Sequence, residues 1–328
     1  MMIKEKLRKL KRKYLLYIQF SKEMVYYYRK LVKYNASIST EKDIEKMQYA
    51  LLRLNHTLEK GMSLPNPKKG FGQKKVLLLI QGLNKYMDLY GNREPDFILY
   101  PLSSINGYIK YTKESGVQID EIENEYNKLK KKSCVDHEIP EVGIHIEMKQ
   151  NIQFCARQDF ESLLSSRHAI RSFSRKDVDK HVIYDALNLA KMTPSACNRQ
   201  AWKTHVFCGS QSIELIKWQD GSHGFEDEIR CSILITANLK GFLSHEIHQV
   251  YIDGGLYAMN LINSLHYLGL GTIPLSCGFE YQKLVKLQKF GIPDNEVPIL
   301  IIGTGYLPDS FKVATSERKN VEYTNIFH

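Results

Sequence analysis

The first part of the chain carries apolar residues at the spacing of α-helices. Between residues 41 and 60 they recur every three or four positions, which predicts a helix with one apolar face. These apolar positions are Ile44, Met47, Leu51, Leu54 and Leu58. Thr40 and Asp43 predict a capping box at the start of the helix, and Gly61 predicts its end.

The pattern stays helical as far as residue 132. A second helix is predicted to begin near Gln73, and a polar helix is predicted over residues 120–132. Pro140 and Gly143 then mark a linker. We therefore expect a helical N-terminal region of residues 1–150, followed by a second domain of residues 151–328.

After residue 150 the chain alternates between helical and strand-like patterns. Helices are predicted over residues 178–192, 210–218 and 246–268, and strands over residues 204–208, 232–237 and 297–302. The last of these strands is a continuous apolar run, which is typical of a buried central strand. This order predicts an α/β or α+β domain in which helices cover a sheet.

Composition favours a soluble globular protein of two domains. Of 328 residues, 43% are hydrophobic and 25% charged, and no window approaches the ~20 apolar residues that a membrane-spanning helix needs. We expect neither a signal peptide nor a transmembrane segment. Scattered cysteines without a CxxC pair indicate neither a disulfide framework nor a structural zinc site, which favours a reducing, cytoplasmic setting. They are Cys134, Cys155, Cys197, Cys208, Cys231 and Cys277.

The net charge of +10 is concentrated at the N-terminus. Lys4, Lys6, Arg8, Lys9, Lys11, Arg12 and Lys13 are accompanied there by Glu5 alone. Such a cluster suits nucleic acid or an anionic membrane surface, and the tyrosines of residues 14–28 would add stacking on bases. A solvated basic helix, with its tyrosines packed against the rest of the N-terminal half, is the simpler interpretation. We therefore expect no nucleic-acid partner.

Three segments of the second domain carry candidate chemistry. Residues 166–173 read Ser-Arg-His-Ala-Ile-Arg-Ser-Phe, in which two arginines can close on one phosphate or form surface ion pairs. Residues 193–202 read Thr-Pro-Ser-Ala-Cys-Asn-Arg-Gln-Ala-Trp, which suits a flat ligand or an ordinary helix-to-strand connection. Residues 269–278 read Gly-Leu-Gly-Thr-Ile-Pro-Leu-Ser-Cys-Gly and are predicted as a loop in which Gly271 ends the preceding helix.

The order and spacing of these segments resemble the nitroreductase family. The first is similar to that family's opening motif and the second to its Pro-Ser-x-x-Asn-x-Gln-Pro-Trp segment. Residues 253–272, which include the start of the third segment, are similar to the helix and turn that lead to the flavin. The resemblance covers residues 155–328. It implies an α+β, three-layer fold with a mainly antiparallel central sheet flanked by helices, preceded here by the mostly helical N-terminal region.

The resemblance also implies a homodimer with FMN bound at its interface. The phosphate end would be held by Arg167, His168, Arg171 and Arg318, and Ala169 occupies a cofactor-binding position in the same motif. The ring would be lined across the interface by Pro194, Ser195, Ala196 and Asn198, and Pro274, Leu275 and Ser276 would lie against it. The tail of residues 321–328 would reach the partner subunit.

By the same resemblance, the chain is an enzyme that passes hydride from NAD(P)H through FMN to an electron-poor small molecule. We assign no catalytic side chain and no metal ligand. Two departures stand out, because Ala169 replaces a hydroxyl that would contact phosphate and Ala201 replaces the proline before Trp202. Two alternatives stay open: a flavin-dependent oxidase or dehydrogenase of cell-surface polysaccharide metabolism, and a flavin-less dimeric interaction protein.

The N-terminal region is similar to an extension that precedes some nitroreductase-like proteins associated with bacterial surface-polysaccharide genes. The similarity rests on His56-Thr-Leu-Glu-Lys-Gly61 and on Gly70-Phe-Gly72. His56 and Glu59 lie three positions apart and can in principle share a ligand, although polar outer positions of a capped helix explain them more simply. The role of this region is not assigned.

Overall fold

The secondary structure comes from a computed structural model, which describes residues 2–34, 43–91, 95–133 and 139–328. The α-helices, in chain order, are α1 (Met2–Tyr34), α2 (Ile44–Met62), α3 (Gln73–Tyr90), α4 (Pro95–Glu114), α5 (Asp120–Ser133), α6 (Lys149–Cys155), α7 (Phe160–Ser165), α8 (Lys180–Ala190), α9 (Ser210–Gln219), α10 (Gln249–Tyr267), α11 (Tyr281–Leu284) and α12 (Val321–Thr324). The strands are β1 (Ile144–Met148), β2 (Trp202–Cys208), β3 (Cys231–Asn238), β4 (Leu270–Ser276), β5 (Glu296–Tyr306) and β6 (Ser310–Ala314).

These elements form two compact units, each built from separated stretches of chain. The helical unit comprises residues 40–175, 223–228 and 306–328. The sheet unit comprises residues 1–39, 176–222 and 229–305. Each unit combines residues from before and after residue 150. The domain boundary predicted near residue 150 therefore stays a prediction.

The core of the helical unit is made by the apolar faces of α2, α3, α4 and α5. Its fully buried side chains include Leu58, Leu79, Leu83, Tyr86, Leu102, Ile105, Tyr108 and Leu129. Burying such faces is the main source of stability for helices in water. At Gly107 in α4, a Cβ atom would collide with the backbone carbonyl of Val142, so only glycine allows this close approach.

The ends of α2 differ in part from the sequence prediction. Asp43 caps its first turn, with its carboxylate accepting from the backbone N–H of Lys46 at 3.1 Å. Thr40, the other predicted member of the capping box, lies outside the described residues. The prediction that Gly61 ends the helix is wrong, because α2 continues to Met62. Glycine is needed there because a side chain would collide with the ring of Phe71.

A two-stranded antiparallel sheet joins β1 to β6 in the helical unit, with Ile144 opposite Ala314 and Met148 opposite Ser310. Backbone hydrogen bonds extend this pairing, since the N–H of Lys149 donates to the carbonyl of Asp309. Neither strand was predicted from the sequence. The pairing brings the C-terminal segment beside the end of the N-terminal region.

The sheet unit contains a four-stranded sheet in the order β2-β3-β5-β4. The strand β3 is buried almost throughout and pairs antiparallel with both β2 and β5. The helix α10 packs against this sheet, and α8 packs against α10. The predicted helices and strands of this part are confirmed to within a few residues, and so is the α+β class with helices beside antiparallel strands and a helical N-terminal region.

The tyrosines of α1 are mostly exposed. Tyr14, Tyr17, Tyr26 and Tyr28 have more than half of their surface open, and α1 belongs to the sheet unit, so the expected packing against the rest of the N-terminal half stays a prediction. The ring of Tyr27 packs against His248 in the same unit, with centroids 4.0 Å apart. Among the described residues, no helix combines the length and apolar character needed to cross a bilayer.

Candidate functional site

The predicted phosphate-binding segment begins directly after α7 in the helical unit. Asp159 caps that short helix, and the buried Ser166 closes it by donating its hydroxyl to the carbonyl of Ser162 at 2.7 Å. The segment then runs extended, and the N–H of Ser174 donates to the carbonyl of Tyr306 at 2.8 Å. Both of its ends are therefore fixed by hydrogen bonds.

Arg167 and Arg318 place unbalanced positive charge at this segment. The side chain of Arg167 is partly buried, and burial, followed by the nearby Arg318 guanidinium, lowers the pKa of Arg167. Within the described part of the chain, no carboxylate lies at ion-pair distance from Arg167. Arg318 is exposed and donates to the carbonyl of Ser316. Two guanidinium groups that repel each other form a site where an anion would be stabilised.

His168 lies beside the same charges. Burial first, and then His145, Arg167 and Arg318, lower the pKa of His168 to about 4, so its imidazole is neutral at neutral pH. Its Nε2 atom lies 3.8 Å from the Oε1 atom of Glu147, and the Nε2 atom of His145 lies 3.1 Å from that oxygen. These three side chains are close enough to share a metal ion. The neighbouring arginines oppose a cation, so we assign the cluster no metal.

The side chain of Arg171 has different contacts from that of Arg167. It is only 4% exposed, and its Nη1 atom donates to Ser63 Oγ at 3.1 Å and to the carbonyl of Ala169 at 3.4 Å. Burial lowers the pKa of Arg171 to about 10, and the Glu59 carboxylate partly offsets this effect. Its buried Nε atom has no hydrogen-bond partner among the described residues. Arg171 is thus held against the end of α2, and its contact with a phosphate stays a prediction.

Glu59 is a buried carboxylate that links α2 to the C-terminal segment. It is 1% exposed and accepts a hydrogen bond from the hydroxyl of Tyr100 at 2.9 Å and another from the backbone N–H of Ser316. Burial outweighs these hydrogen bonds and the Arg171 charge, and raises the pKa of Glu59 to about 7. Sequence reasoning treated Glu59 as an outer position of α2. Its place beside the buried Leu58 and Met62 on the helix was the available signal.

The second predicted segment forms a strained loop in the sheet unit. A 3-10 turn covers Ala196–Asn198, and the non-glycine residues Cys197, Asn198 and Gln200 have φ angles of 51°, 52° and 49°. Left-handed conformations cost energy for such residues and tend to cluster at functional sites. The loop therefore has a backbone shape that its own sequence does not favour.

Hydrogen bonds hold this loop in place. The buried carboxylate of Asp253 on α10 accepts from the N–H of Ala196 at 3.2 Å, and Ser195 Oγ accepts from the N–H of Gln200 at 3.0 Å. Arg199 forms a bidentate pair with Glu246, both contacts being 2.7 Å. The sequence did not assign Asp253 or Glu246 to the site, since their partners lie far away in the chain.

The third predicted segment is a strand, which corrects the predicted loop. The helix α10 ends at Tyr267, and Gly269, with φ of 85°, turns the chain into β4. The prediction that Gly271 ends the helix is therefore wrong. Along β4, Pro274 and Ser276 are exposed whereas Leu275 is buried, so only alternate residues are available to a ligand.

The predicted site residues fall into one group in each unit. The helical unit holds Arg167, His168, Ala169, Arg171 and Arg318, and the sheet unit holds Pro194, Ser195, Ala196, Asn198, Pro274, Leu275 and Ser276. The first group has the chemistry of an anion site. The second group combines small side chains, an amide and an exposed strand face.

The sequence match to known proteins decides the family. The model of the nitroreductase family matches residues 164–306. A 4-nitrobenzoate reductase from Pseudomonas putida is 33% identical over 201 residues, which cover 47% of this chain and 88% of that protein. The chain belongs to the nitroreductase family. It is therefore an oxidoreductase, and the family match includes every predicted site residue except Arg318.

Other nitroreductase-like proteins are more distant. An iodotyrosine dehalogenase 1 homolog from Caenorhabditis elegans is 24% identical over 201 residues, covering 51% of this chain and 60% of that protein. A nitroreductase family protein from Streptococcus pneumoniae is 24% identical, with a TM-score of 0.45 and coverage of 52% of this chain and 100% of that one. The structural score is modest, and family membership rests on the sequence matches.

Proposed function

We propose that this nitroreductase is an FMN-dependent enzyme that accepts hydride from NAD(P)H and reduces an electron-poor small molecule. The observation that carries the proposal is the Arg167 guanidinium, partly buried near Arg318 without a carboxylate partner in the described structure. A bound phosphate would supply the missing negative charge. Family membership makes FMN the phosphate-bearing ligand to test first.

The fit to the phosphate of FMN is uneven among the predicted residues. Arg167 and Arg318 supply charge, and the neutral imidazole of His168 can supply one N–H donor. Ala169 offers no hydroxyl, and Arg171 is held by Ser63. We therefore assign the phosphate chiefly to Arg167 and Arg318.

The flavin ring would lie against the second group of residues. Ser195 and Ala196 have small side chains that allow close approach, and Pro274 and Ser276 are exposed on β4. When bound, FMN supplies the redox chemistry through its ring. The residues of this chain bind the phosphate and orient the ring, and none is assigned a proton-transfer role. We also propose a cytoplasmic location, which the free cysteines among the described residues and the use of NAD(P)H would suit.

We propose a homodimer as the active form. One face of α10 exposes apolar side chains, namely Tyr251, Ile252, Leu256 and Met259. Gly255 lies on this helix with open space around its Cα atom, which leaves room for a second helix to approach. In a two-fold symmetric dimer the same surface of each subunit forms the interface, so this face of α10 would pack against the same face of the partner subunit. The apolar tail residues Ile326 and Phe327 are also exposed and would be covered by the partner subunit.

Placing a charge on this face is expected to break the dimer. Leu256→Arg should raise the dissociation constant at least roughly tenfold, because a buried leucine contributes about 1.5–3 kcal/mol and two copies are lost in a symmetric interface. Light scattering during gel filtration would give the mass at micromolar concentration. Leu239→Arg is the matched control, because Leu239 is 46% exposed and Leu256 is 47% exposed. An unchanged mass for Leu256→Arg, or a monomeric wild type, would refute this interface.

The proposed function predicts a yellow protein. We expect the purified chain to carry FMN, identified by the mass of the released chromophore, and NAD(P)H to bleach the visible flavin absorbance in the absence of oxygen. Adding electron-poor acceptors should then restore the colour. A colourless, folded protein that takes up no added FMN would contradict the proposal.

The main rival is a flavin-less dimeric protein. Two observations favour it, since Ala169 lacks the expected hydroxyl and Arg171 is held by Ser63 rather than free for a ligand. The dimer test and the colour test separate the two hypotheses. A colourless dimer would support the rival, whereas a yellow dimer that reacts with NAD(P)H would exclude it.

A further inference from the structure

The helix α1 is long, strongly basic and largely exposed. It extends over 33 residues, and seven lysines and arginines are accompanied by one glutamate among residues 4–13. That glutamate, Glu5, is paired with Lys9 at 3.1 Å. The remaining positive charges of this stretch have no acidic neighbour within it.

Apolar side chains form a stripe along the first half of α1. Ile3, Leu7, Leu10 and Tyr14 follow one another at steps of four, three and four residues, which places them on one helix face. They are exposed by 77%, 60%, 66% and 66%. By the same geometry, the basic residues occupy the other faces. We call these four residues the apolar stripe.

Exposed apolar and aromatic side chains continue toward the C-terminal half of the helix. Tyr17, Met24 and Tyr28 lie on the same helix face as the stripe and are exposed, with the polar Ser21 between Tyr17 and Met24. Tyrosine is favoured where an apolar surface meets water, because its ring is apolar and its hydroxyl is polar. The described ring contact of α1 with the rest of its unit is that of Tyr27 with His248, near the C-terminal end.

We propose that α1 binds the surface of an anionic lipid bilayer, lying in the plane of the interface with its apolar stripe inserted. A basic helix with a distinct apolar face and a polar remainder has the properties of interfacial helices. Anionic headgroups complement the lysines and arginines that flank the stripe. The helix lies on the bilayer and does not cross it, in agreement with its insufficient apolar length.

Charge argues for lipid and against a second copy of α1 as the occupant. A parallel pair along the stripe would bring the flanking Lys4 and Lys6 of the two copies together, which is repulsive. An antiparallel pair would set these lysines opposite the half of the helix that carries Phe20 and Val25. The carboxylate of that half, Glu23, lies on the helix face opposite the stripe and so would not face them. A bilayer containing acidic lipids would both bury the apolar stripe and balance the positive charge beside it.

The test uses the full-length protein and sedimentation with lipid vesicles. We expect binding to phosphatidylcholine vesicles that contain about 30 mol% phosphatidylserine, and little binding to phosphatidylcholine alone. Neutralising four flanking lysines, with Lys4, Lys6, Lys11 and Lys13 all changed to Gln, should weaken binding roughly 1,000-fold, because each lysine contributes about 1 kcal/mol and 1.4 kcal/mol corresponds to a factor of ten. Changing Leu7 and Leu10 to Gln should weaken it at least roughly tenfold.

The matched control removes the same charge elsewhere, with the exposed Lys74, Lys128, Lys131 and Lys180 all changed to Gln. It should bind acidic vesicles as the wild type does. Equal loss in the control, equal binding to neutral vesicles, or no vesicle binding at all would overturn the proposal. So would an oligomer, or a DNA complex, that depends on the four α1 lysines while lipid binding is absent. Circular dichroism would show that each variant is folded, and none of these outcomes depends on a bound flavin.

Discussion

Arg167→Ala is expected to weaken FMN binding roughly ten- to 100-fold, because a charge-assisted hydrogen bond contributes about 1.5–3 kcal/mol and 1.4 kcal/mol corresponds to a factor of ten. The guanidinium of Arg167 is partly buried and lies near the charge of Arg318. A phosphate between them would relieve that repulsion. If the two contributions are independent, the double variant Arg167→Ala, Arg318→Ala should lose roughly 100- to 10,000-fold.

Fluorescence titration of the flavin-free protein would measure these dissociation constants. Arg175→Ala is the control, because Arg175 is exposed just beyond the same segment and should leave FMN affinity unchanged. Arg167→Lys should give an intermediate value, since lysine keeps the charge but loses the planar fork that binds two phosphate oxygens. If folded Arg167→Ala binds FMN as tightly as the wild type, the phosphate is bound elsewhere.

Arg171→Ala is a poor test of phosphate binding for a structural reason. Its side chain is buried and donates to Ser63, so its removal would leave a cavity beside α2 and remove one of the two hydrogen bonds of the Ser63 hydroxyl. A loss of flavin in that variant would not separate binding from folding. The sequence motif placed Arg167 and Arg171 together, and only the structure distinguishes their environments.

The elements that were predictable from sequence are those whose apolar pattern is local. The face of α2 repeats every three or four residues, and β3 and β5 contain continuous apolar runs. By contrast, β1 and β6 have five residues each, and β1 mixes apolar and polar side chains without a buried run. Their pairing depends on contact between distant parts of the chain, which no local pattern contains.

The strand β4 was missed because its composition suggested a loop. It contains Gly271 and Pro274, which are unfavourable in a strand. The neighbouring strand β5 overrides that preference, and the hydroxyl of Thr304 donates to the carbonyl of Gly271 at 2.8 Å. Pairing with another strand thus made this segment a strand, although its local composition favoured a loop.

The same limit applies to the candidate site. The motifs located the charged segment and the strained loop, because those residues are contiguous. The residues that support them are distant in sequence, as with Asp253 for the loop and Tyr100 for Glu59. The sequence around a buried carboxylate does not show which distant residue will form a hydrogen bond with it.

Raising the pH from about 4.5 to 7 is expected to lower the free energy of unfolding of the wild type by roughly 2–3 kcal/mol relative to Glu59→Gln. Burial raises the pKa of Glu59 from an ordinary value of 4.5 to about 7. In this pH range the folded protein retains a proton that the unfolded chain has released. The stabilising effect of the protonated carboxyl is therefore fully present below pH 4.5 and is lost as the pH rises through 7.

Denaturant unfolding at several pH values would measure this difference. Other carboxylates titrate in both proteins, so their contributions cancel when the two curves are subtracted. Glu45→Gln is the matched control, since Glu45 lies on the same helix but is exposed, and the loss that comes from burial should be specific to Glu59. Parallel curves for the wild type and Glu59→Gln would mean that Glu59 is already ionised in the folded protein at low pH.

Tyr100→Phe provides an independent check on the cause of the shift. The Tyr100 hydroxyl donates to Glu59 and lowers the pKa of that carboxyl, opposing the larger effect of burial. Removing the hydroxyl should therefore raise the pKa of Glu59 further and move the midpoint of the pH-dependent loss upward. A midpoint that moves downward would show that the hydrogen bond favours the neutral carboxyl. Because Glu59 also offsets the cost of burying Arg171, the same titration reports on the segment predicted to bind the cofactor.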